Sequence, residues 1–472
     1  MLDDVIKNIE KEYSLESVKV LNDPIWPVLR LKLLEELRKK NGMGSRSIQI
    51  NGSFFRHLAK NLFYGFGDLL KIKNAEYIFF SSSDRRKKFE GLYHDRVIED
   101  ALVSLDNAFE IENPFPSGIH FKRGQIPTRH IIGQSIFYVG VNLFERIYGK
   151  KIKIENENIL KDILKEYNVN LDYRGLTRRF LGQYYFMRFL LRRLDPKIVF
   201  FVYSGSSYGF IKALKEKRVP VVEIQHGIIN ERHLAYNVNT NLGTNLFPDY
   251  LFTYGNQELK IFDESNYFIN SDNVVPIGYS FLEKYNKKSK EITKFEEQLR
   301  KRGFTKLVAI SFQEPFEKQL IDFVNNAIKF DERIAYILFL RSEKYQLSTS
   351  IHRNIIIANK FNIYEGLQIS DFHVTINSTC ALEAFSFGVE TILLDIENQA
   401  STYYGDKLKG FKSVSFVSSP KELAEKINVQ PFVSKDEISE EGKEFFVTGF
   451  RENFIHETKK ILEGKKKDFV RN

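Results

Sequence analysis

The sequence predicts an α/β protein of two domains, each a parallel sheet with helices between its strands. Three observations carry this. From residue 196 onward, short apolar runs of strand length alternate with helix-length segments. The same rhythm resumes at residue 307. Between them, residues 284–304 are charged and nearly free of apolar pattern, as expected of a linker or exposed helix at a domain boundary. The domains expected are 1–283, a linker over 284–304, 305–444, and a closing helix with a basic tail over 445–472.

Residues 1–70 read as mostly helical. The segment 28–39 (VLRLKLLEELRK) has 3.6-residue periodicity and follows Pro24 and Pro27. Trp26 reads as an anchor of that helix on the core. Residues 75–81 (AEYIFFS) form the first buried strand. The Ser-rich turn after it, Ser81 to Arg86 with two arginines, is either an acceptor or phosphate site or a solvated loop. His94, His120 and His130 lack metal-ligand spacing. Residues 131–144 (IIGQSIFYVGVNLF) are too short to span a bilayer and read as a buried or interfacial helix. Helices follow over 156–193. The second carries Arg174, Arg178, Arg179, Arg188, Arg192 and Arg193, a solvated face or a guide for an anionic acceptor.

A strand over 197–203 leads into a small-residue turn that includes Ser204 and Ser206, then a helix over 210–218. The strand 220–224 ends in Gln225-His226-Gly227. A histidine there sits where open α/β sheets place ligands, and glycine lets the backbone approach them. A satisfied histidine packing the turn is the alternative. Strands over 248–254 and 273–278, with a helix from Gln257, complete this half; Gly278 ends it.

In the second half, strands are expected at 307–312, 335–341, 354–357, 373–376, 391–395 and 414–417, with helices at 313–329, 363–368 and 378–387. Asn377, Ser378 and Thr379 read as N-cap residues of the last of these. A helix opening just after a parallel strand offers free N–H groups and its positive end to an anion. Glu383, one turn on, is placed to accept from a ribose diol, and Gly388 reads as the C-cap. An ordinary capped βαβ unit without ligand explains the same residues.

The chain has 472 residues, 43% hydrophobic and 28% charged, which suits a globular protein with ample core. The net charge of +9 is spread along the chain. It favours phosphate-bearing ligands or an anionic membrane surface over nucleic acid. The single cysteine, Cys380, excludes an internal disulfide and argues against a thiolate zinc site. No signal peptide and no run of 18 apolar residues is present, so a cytoplasmic protein is expected, meeting any membrane from the side. No G-x-x-x-x-G-K-[ST] occurs, no G-x-G-x-x-G follows a first strand, and no Asp-x-Asp stands at a strand end.

The pattern Ser-Thr-x-x-x-Glu-Ala-x-x-x-Gly-x-x-Thr over 378–391, preceded in order by VPVVEIQHGIINERHLAYN, FPDYLFTYG and VVPIGY, resembles GT-B glycosyltransferases. More narrowly it resembles bacterial capsule and lipopolysaccharide transferases and the related teichoic-acid polymerases. The likeness covers roughly residues 200–425. It implies two Rossmann-like domains facing a central cleft, with extra N-terminal helices. It implies that Ser378 and Thr379 hold donor phosphates, that Glu383 holds the ribose, and that His226 is catalytic, with Glu223 and Glu231 as weaker carboxylate candidates. Gln225, Gly227, Ser204, Ser206, Gly278 and Asn377 would line the cleft. Arg341-Ser342 stands where relatives carry His-Pro, so Arg341 would pair with the donor phosphate instead. Glu383-x6-Glu390 departs from the Glu-x7-Glu of the large retaining group, and that motif is not transferred.

The implied activity is metal-independent transfer of a sugar to a growing surface polysaccharide, of capsule or lipopolysaccharide type. The donor would be a CMP-, UDP- or GDP-linked sugar, used as substrate, with no separate cofactor. The acceptor would be a glycan or lipid-linked glycan, at the cytoplasmic face of the inner membrane. Polyol-phosphate transfer from a CDP-alditol, and a non-catalytic capsule-assembly protein of the same fold, are the alternatives.

Overall fold

Along Tyr77–Ser82, Tyr77 and Phe79 face one side and Ile78 and Phe80 the other, and all four are buried. A strand apolar on both faces belongs inside a sheet covered by helices twice. The computed structural model describes residues 2–42, 61–114, 120–127, 130–231, 233–340, 345–429 and 433–470. The chain divides into two units, Met1–Gly278 with Gly449–Asn472, and Tyr279–Thr448.

The first unit holds seven parallel strands: β1 (Tyr77–Ser82), β2 (Ala108–Asn113), β3 (Ile131–Gly133), β4 (Ile198–Phe201), β5 (Val221–Ile224), β6 (Tyr250–Thr253) and β7 (Val274–Pro276). Their spatial order is β7-β6-β5-β4-β1-β2-β3. One face packs on the helices Ser135–Tyr148, Tyr173–Leu190 and Tyr208–Glu216. The other packs on Phe450, Phe454 and Ile461 of the helix Phe450–Val470, with Phe454 5.4 Å from Phe200 between ring centres.

The second unit holds six parallel strands: β8 (Lys306–Ser311), β9 (Ile334–Phe339), β10 (Ile355–Ile357), β11 (Phe372–Thr375), β12 (Glu390–Leu394) and β13 (Val414–Val417). Their order is β10-β9-β8-β11-β12-β13. In both sheets the chain winds outward from a central strand, returns beside it, and winds the other way. This is the Rossmann-type order, and it creates a switch point between β1 and β4 and another between β8 and β11. Two Rossmann-like sheets with added N-terminal helices, Leu2–Glu12 and Trp26–Lys40, are therefore the fold.

Trp26 is buried and its indole N–H donates to Glu10 at 3.0 Å, as an anchor should. Arg30 is buried beside it, paired with Glu10 at 2.7 Å. Residues 284–304 contain the helix Lys290–Lys301, opened by a Ser289 cap.

Three expected elements differ. Residues 131–144 are not one helix: Ile131–Gly133 pairs with β2 as the sheet edge, and the helix begins at Ser135. Ile-Ile before glycine has strand propensity that a window dominated by helix periodicity hides. The helix expected from 313 begins at Glu317, because Pro315 cannot donate within a helix interior. The helix expected from Gln257 is a short 3₁₀ turn, Gln257–Ile261.

Val139, Leu143 and Ile147 stand four residues apart on the helix Ser135–Tyr148 and are 46%, 55% and 55% exposed. Exposed Arg146 and Lys150 accompany this apolar stripe. Among the described residues, no helix is long and apolar enough to cross a membrane.

Candidate functional site

The second unit's switch point lies at the carboxyl ends of β8 and β11. Residues 376–379 leave β11 there, and Gln313 leaves β8. The Asn377 backbone N–H donates to Gln313 Oε1 at 3.1 Å, and the two side-chain amides also bond. Gln313 thus clasps the loop that carries the hydroxyl pair. Ser378 is buried; its Oγ accepts from the Cys380 N–H at 3.4 Å, and its carbonyl accepts from the Tyr404 hydroxyl at 2.7 Å. Thr379 is exposed and makes no side-chain capping bond.

The expected helix 378–387 is shorter than its pattern suggests. It is a single α-turn, Cys380–Glu383, tightened into a 3₁₀ turn, Ala384–Phe387. It closes at Gly388 with φ 63 and ψ 39, the left-handed C-cap conformation glycine adopts without cost. So short a helix has a weak dipole, and the Asn377, Ser378 and Cys380 N–H groups already donate to neighbouring side chains, so the Ser378 and Thr379 hydroxyls are the main donors here.

Glu383 is buried, and its Oε1 accepts from the Tyr364 hydroxyl at 3.1 Å. That bond fixes one oxygen of the carboxylate proposed for the ribose. Beneath the loop, buried His373 contacts Ser311 Oγ through Nε2 at 2.7 Å and Thr391 Oγ1 through Nδ1 at 3.4 Å. Burial lowers its pKa to about 3, so it is neutral. Burial, with Glu383 next, pushes the Cys380 thiol up to about 12 and keeps it protonated. Arg341 lies outside the described residues.

The first unit's switch point lies between β1 and β4. Ser204, beyond β4, is buried, and its N–H donates to Glu223 Oε2 at 3.2 Å. Glu223 Oε1 accepts from the Tyr236 hydroxyl at 2.6 Å. Burial raises the Glu223 pKa to about 7, and these hydrogen bonds oppose the rise. Ser206 is exposed, and its carbonyl accepts from Gln183 at 2.7 Å.

Gln225 is a brace. Its side chain bonds Glu258 at 2.7 Å, the Gly227 carbonyl at 2.9 Å and the Tyr254 N–H at 2.6 Å. It holds the turn that presents His226. Gly227 keeps a negative φ, and a Cβ there would meet nothing within 4 Å, so it leaves open space above the turn. Gly278 has φ 98 and donates to the Thr253 carbonyl at 3.3 Å.

His226 is half-buried, with its Nδ1 enclosed and without a hydrogen-bond partner. The Tyr203 ring stands edge-on to it at 5.7 Å. Its pKa is lowered to about 3, by burial first, then by the charge of Arg85, with His233 and Arg96 adding to it. The Val202 carbonyl opposes this. The ring is therefore neutral at physiological pH.

Arg85 and Arg96 come from a feature the sequence did not reveal. After β1 and the turn Ser83–Arg85, a two-stranded ribbon forms from Arg86–Phe89 and Leu92–Asp95. Arg86 anchors it. Its guanidinium is fully buried against Glu112 at 2.5 Å, Glu110 at 2.8 Å and Glu99 at 3.3 Å. Glu112 also bonds His120 at 2.6 Å.

Beside this switch point, at the carboxyl ends of β2, β3 and β4, lies a groove of 520 Å³. Phe137, Tyr138, Phe180, Tyr203 and Arg179 are among its walls. Arg179 stacks over the Tyr138 ring at 4.6 Å and donates to Asn142 at 2.9 Å. Aromatic walls with a few placed polar groups are the usual make-up of a small-molecule site.

Among the described residues, no group of three or more His, Cys, Asp or Glu side chains is arranged to hold a metal ion.

No family model matches the chain, and no curated protein matches it. Solved structures with a similar course exist at low identity. UDP-GlcNAc 2-epimerase from Neisseria meningitidis bound to UDP-GlcNAc aligns over 81% of this chain and 98% of its own, at TM-score 0.45 and 12% identity. The calicheamicin glycosyltransferase CalG4 aligns over 82% and 98%, at TM-score 0.47 and 10% identity. The wall teichoic acid polymerase TagF aligns over 89% and 99%, at TM-score 0.43 and 11% identity. No activity or substrate is carried over from these likenesses.

Proposed function

We propose that this chain is a GT-B transferase that moves a sugar from a nucleotide-sugar to a surface glycan of capsule or lipopolysaccharide type. The observation that supports it most is the chemistry at the two switch points. One carries a hydroxyl and amide loop beside a buried carboxylate. The other carries a neutral histidine beside cations and an aromatic groove. Ser378 and Thr379 would hold the donor phosphates, and Glu383 the ribose. The acceptor would lie in the groove of the first unit. Its hydroxyl oxygen attacks the anomeric carbon, the bond from that carbon to the nucleotide phosphate breaks, and the nucleotide leaves with the electron pair. His226 takes the hydroxyl proton. Hydrogen-bond donors aimed at the departing phosphate supply the stabilisation, without a metal. Transfer activity retained in a chelator is the expected result.

A thermal-shift screen of CMP, CDP, UDP, GDP and their sugar conjugates tests the donor site. A ligand that binds only the folded chain stabilises it by about 2.7 kcal/mol at a hundredfold over Kd. One nucleotide series is expected to raise Tm, and Glu383→Ala to abolish the rise. Silence of the wild-type protein across the panel would favour a non-catalytic assembly role. Product mass separates sugar transfer from polyol-phosphate transfer.

The stripe of Val139, Leu143 and Ile147 beside Arg146 and Lys150 suits peripheral contact with an anionic bilayer at its cytoplasmic face. The chain is expected to co-sediment with vesicles rich in anionic lipid, and Leu143→Asp to weaken this. Equal sedimentation of the variant would remove the stripe from the contact.

A further inference from the structure

The two arginines at the start of the ribbon, Arg85 and Arg86, have opposite surroundings. Arg86 is saturated by three carboxylates. The Arg85 guanidinium makes no hydrogen bond or ion pair among the described residues, and its Nε is enclosed. Arg85 is half-buried, and an enclosed donor without a partner is unfavourable and invites a ligand. Arg96 lies directly across the base of the ribbon, its N–H donating to the Arg85 carbonyl at 3.3 Å. His226, from the end of β5, has an enclosed Nδ1 without a partner and feels Arg85 more strongly than any other charge, with His233 and Arg96 after it.

Two carboxylates, Glu223 and Asp95, face this group and feel the Arg85 charge. Glu223 accepts from Ser204 and Tyr236, and Asp95 accepts from the Val97 and Ile98 N–H groups at 2.8 and 3.1 Å. Burial raises the pKa of both and the Arg85 charge opposes the rise; Asp95 Oδ2 is enclosed and without a hydrogen-bond partner. Arg85 and Arg96 bring two guanidinium groups to the switch point of a parallel sheet, on a ribbon anchored by Arg86. Guanidinium donors in a fixed fork match a phosphate oxyanion.

We propose that Arg85 and Arg96, with His226 and His233 beside them, bind a phosphate oxyanion, and that the acceptor of this chain carries that phosphate near its reacting hydroxyl. This rests on the transferase function proposed above. It also answers a difficulty in it. A histidine flanked by two cations is a weak base, and an oxyanion between them offsets their charge and strengthens it.

The test uses the full chain, titrated at constant ionic strength with inorganic phosphate and with glycerol 3-phosphate, which carries no base. Calorimetry and thermal shift report binding, and chloride is the control. Saturable binding of both phosphates is expected. Arg85→Gln and Arg96→Gln should each weaken it by about tenfold or more, the worth of a charged hydrogen bond. Arg85→Lys should fall between, and Thr379→Ala should leave binding unchanged. The thermal unfolding of Arg85→Gln without phosphate is measured alongside, and a folded variant that has lost phosphate binding is the expected result, so a folding defect would not mimic it.

Wild-type affinity in Arg85→Gln, or absence of saturable binding, would overturn the proposal. Loss in Thr379→Ala instead would assign the phosphate to the donor site and overturn it too. Transfer to an acceptor without phosphate, with no phosphate bound, would sink this inference alone. Phosphate held by Arg85 in a chain that transfers nothing would leave the pocket and sink the transferase function.

Discussion

His226→Ala is expected to lower the transfer rate by about 10²–10⁴-fold, the usual worth of a positioned proton acceptor. Nucleotide binding, proposed for Ser378, Thr379 and Glu383 in the second unit, should be unchanged. The ring is held by its surroundings in the neutral form, and Gln225 braces the turn beneath it. Truncation to alanine therefore removes a base without disturbing the sheet. Single-turnover transfer at saturating donor separates this from a binding defect. Equal rates in the two proteins, with normal folding, would remove His226 from the chemistry.

The same residue has a signature in acid. Its folded pKa, about 3, lies below its ordinary 6.5, so the unfolded chain binds the proton first. Its contribution to stability is complete above the ordinary value and is lost as pH falls toward the folded one. His226→Ala should therefore be less sensitive to acid over that window than the wild type. Buried His373 acts in the same sense in the second unit and remains in the variant.

Arg86→Met should cost the first unit about 3–5 kcal/mol, the typical loss when one partner of a buried ion cluster is removed. Glu99, Glu110 and Glu112 would lose a cation that sits at 2.5–3.3 Å from each. Methionine fills most of the volume but offers no charge. Even with Arg86 present, burial raises the Glu110 pKa above its ordinary value, and the neighbouring carboxylates add to this. A raised carboxyl pKa means the folded state binds more protons, so stability falls as pH rises above the ordinary value and toward the folded one. The penalty of Arg86→Met should thus be larger at pH 8 than at pH 6. Urea unfolding at both values measures it. The ribbon also carries Arg85 and Arg96, so phosphate binding should weaken with it. A variant as stable as the wild type at pH 8 would show the cluster to be energetically neutral.

Much of the fold was legible in the chain. Strands of a parallel sheet are buried on both faces, so they appear as short continuous apolar runs, and 197–203, 220–224 and 307–312 each marked one. Polar and small residues stand just beyond the strand ends at 225–227 and 377–379, which is why His226 and Ser378, with Glu383 one turn on, stood out.

Other features depended on neighbours far along the chain. Ile131–Gly133 became a strand because β2 offered it an edge, which its own composition does not announce. Gln313 was absorbed into an expected helix, although Pro315 signalled a later start; its bond to Asn377, 64 residues on, exists only in three dimensions. Arg85 and Arg86 are the sharpest case. As adjacent residues they were indistinguishable in the sequence, and the Ser-rich turn could be a phosphate site or a solvated loop. Glu110 and Glu112, contributed by β2 at 24 and 26 residues' distance, neutralise one arginine and leave the other. Local propensity therefore determined where strands and turns lie, since it acts through near neighbours. Only the tertiary structure decided which charges are matched by carboxylates and which are not, because matching depends on contacts between strands that the chain alone does not order.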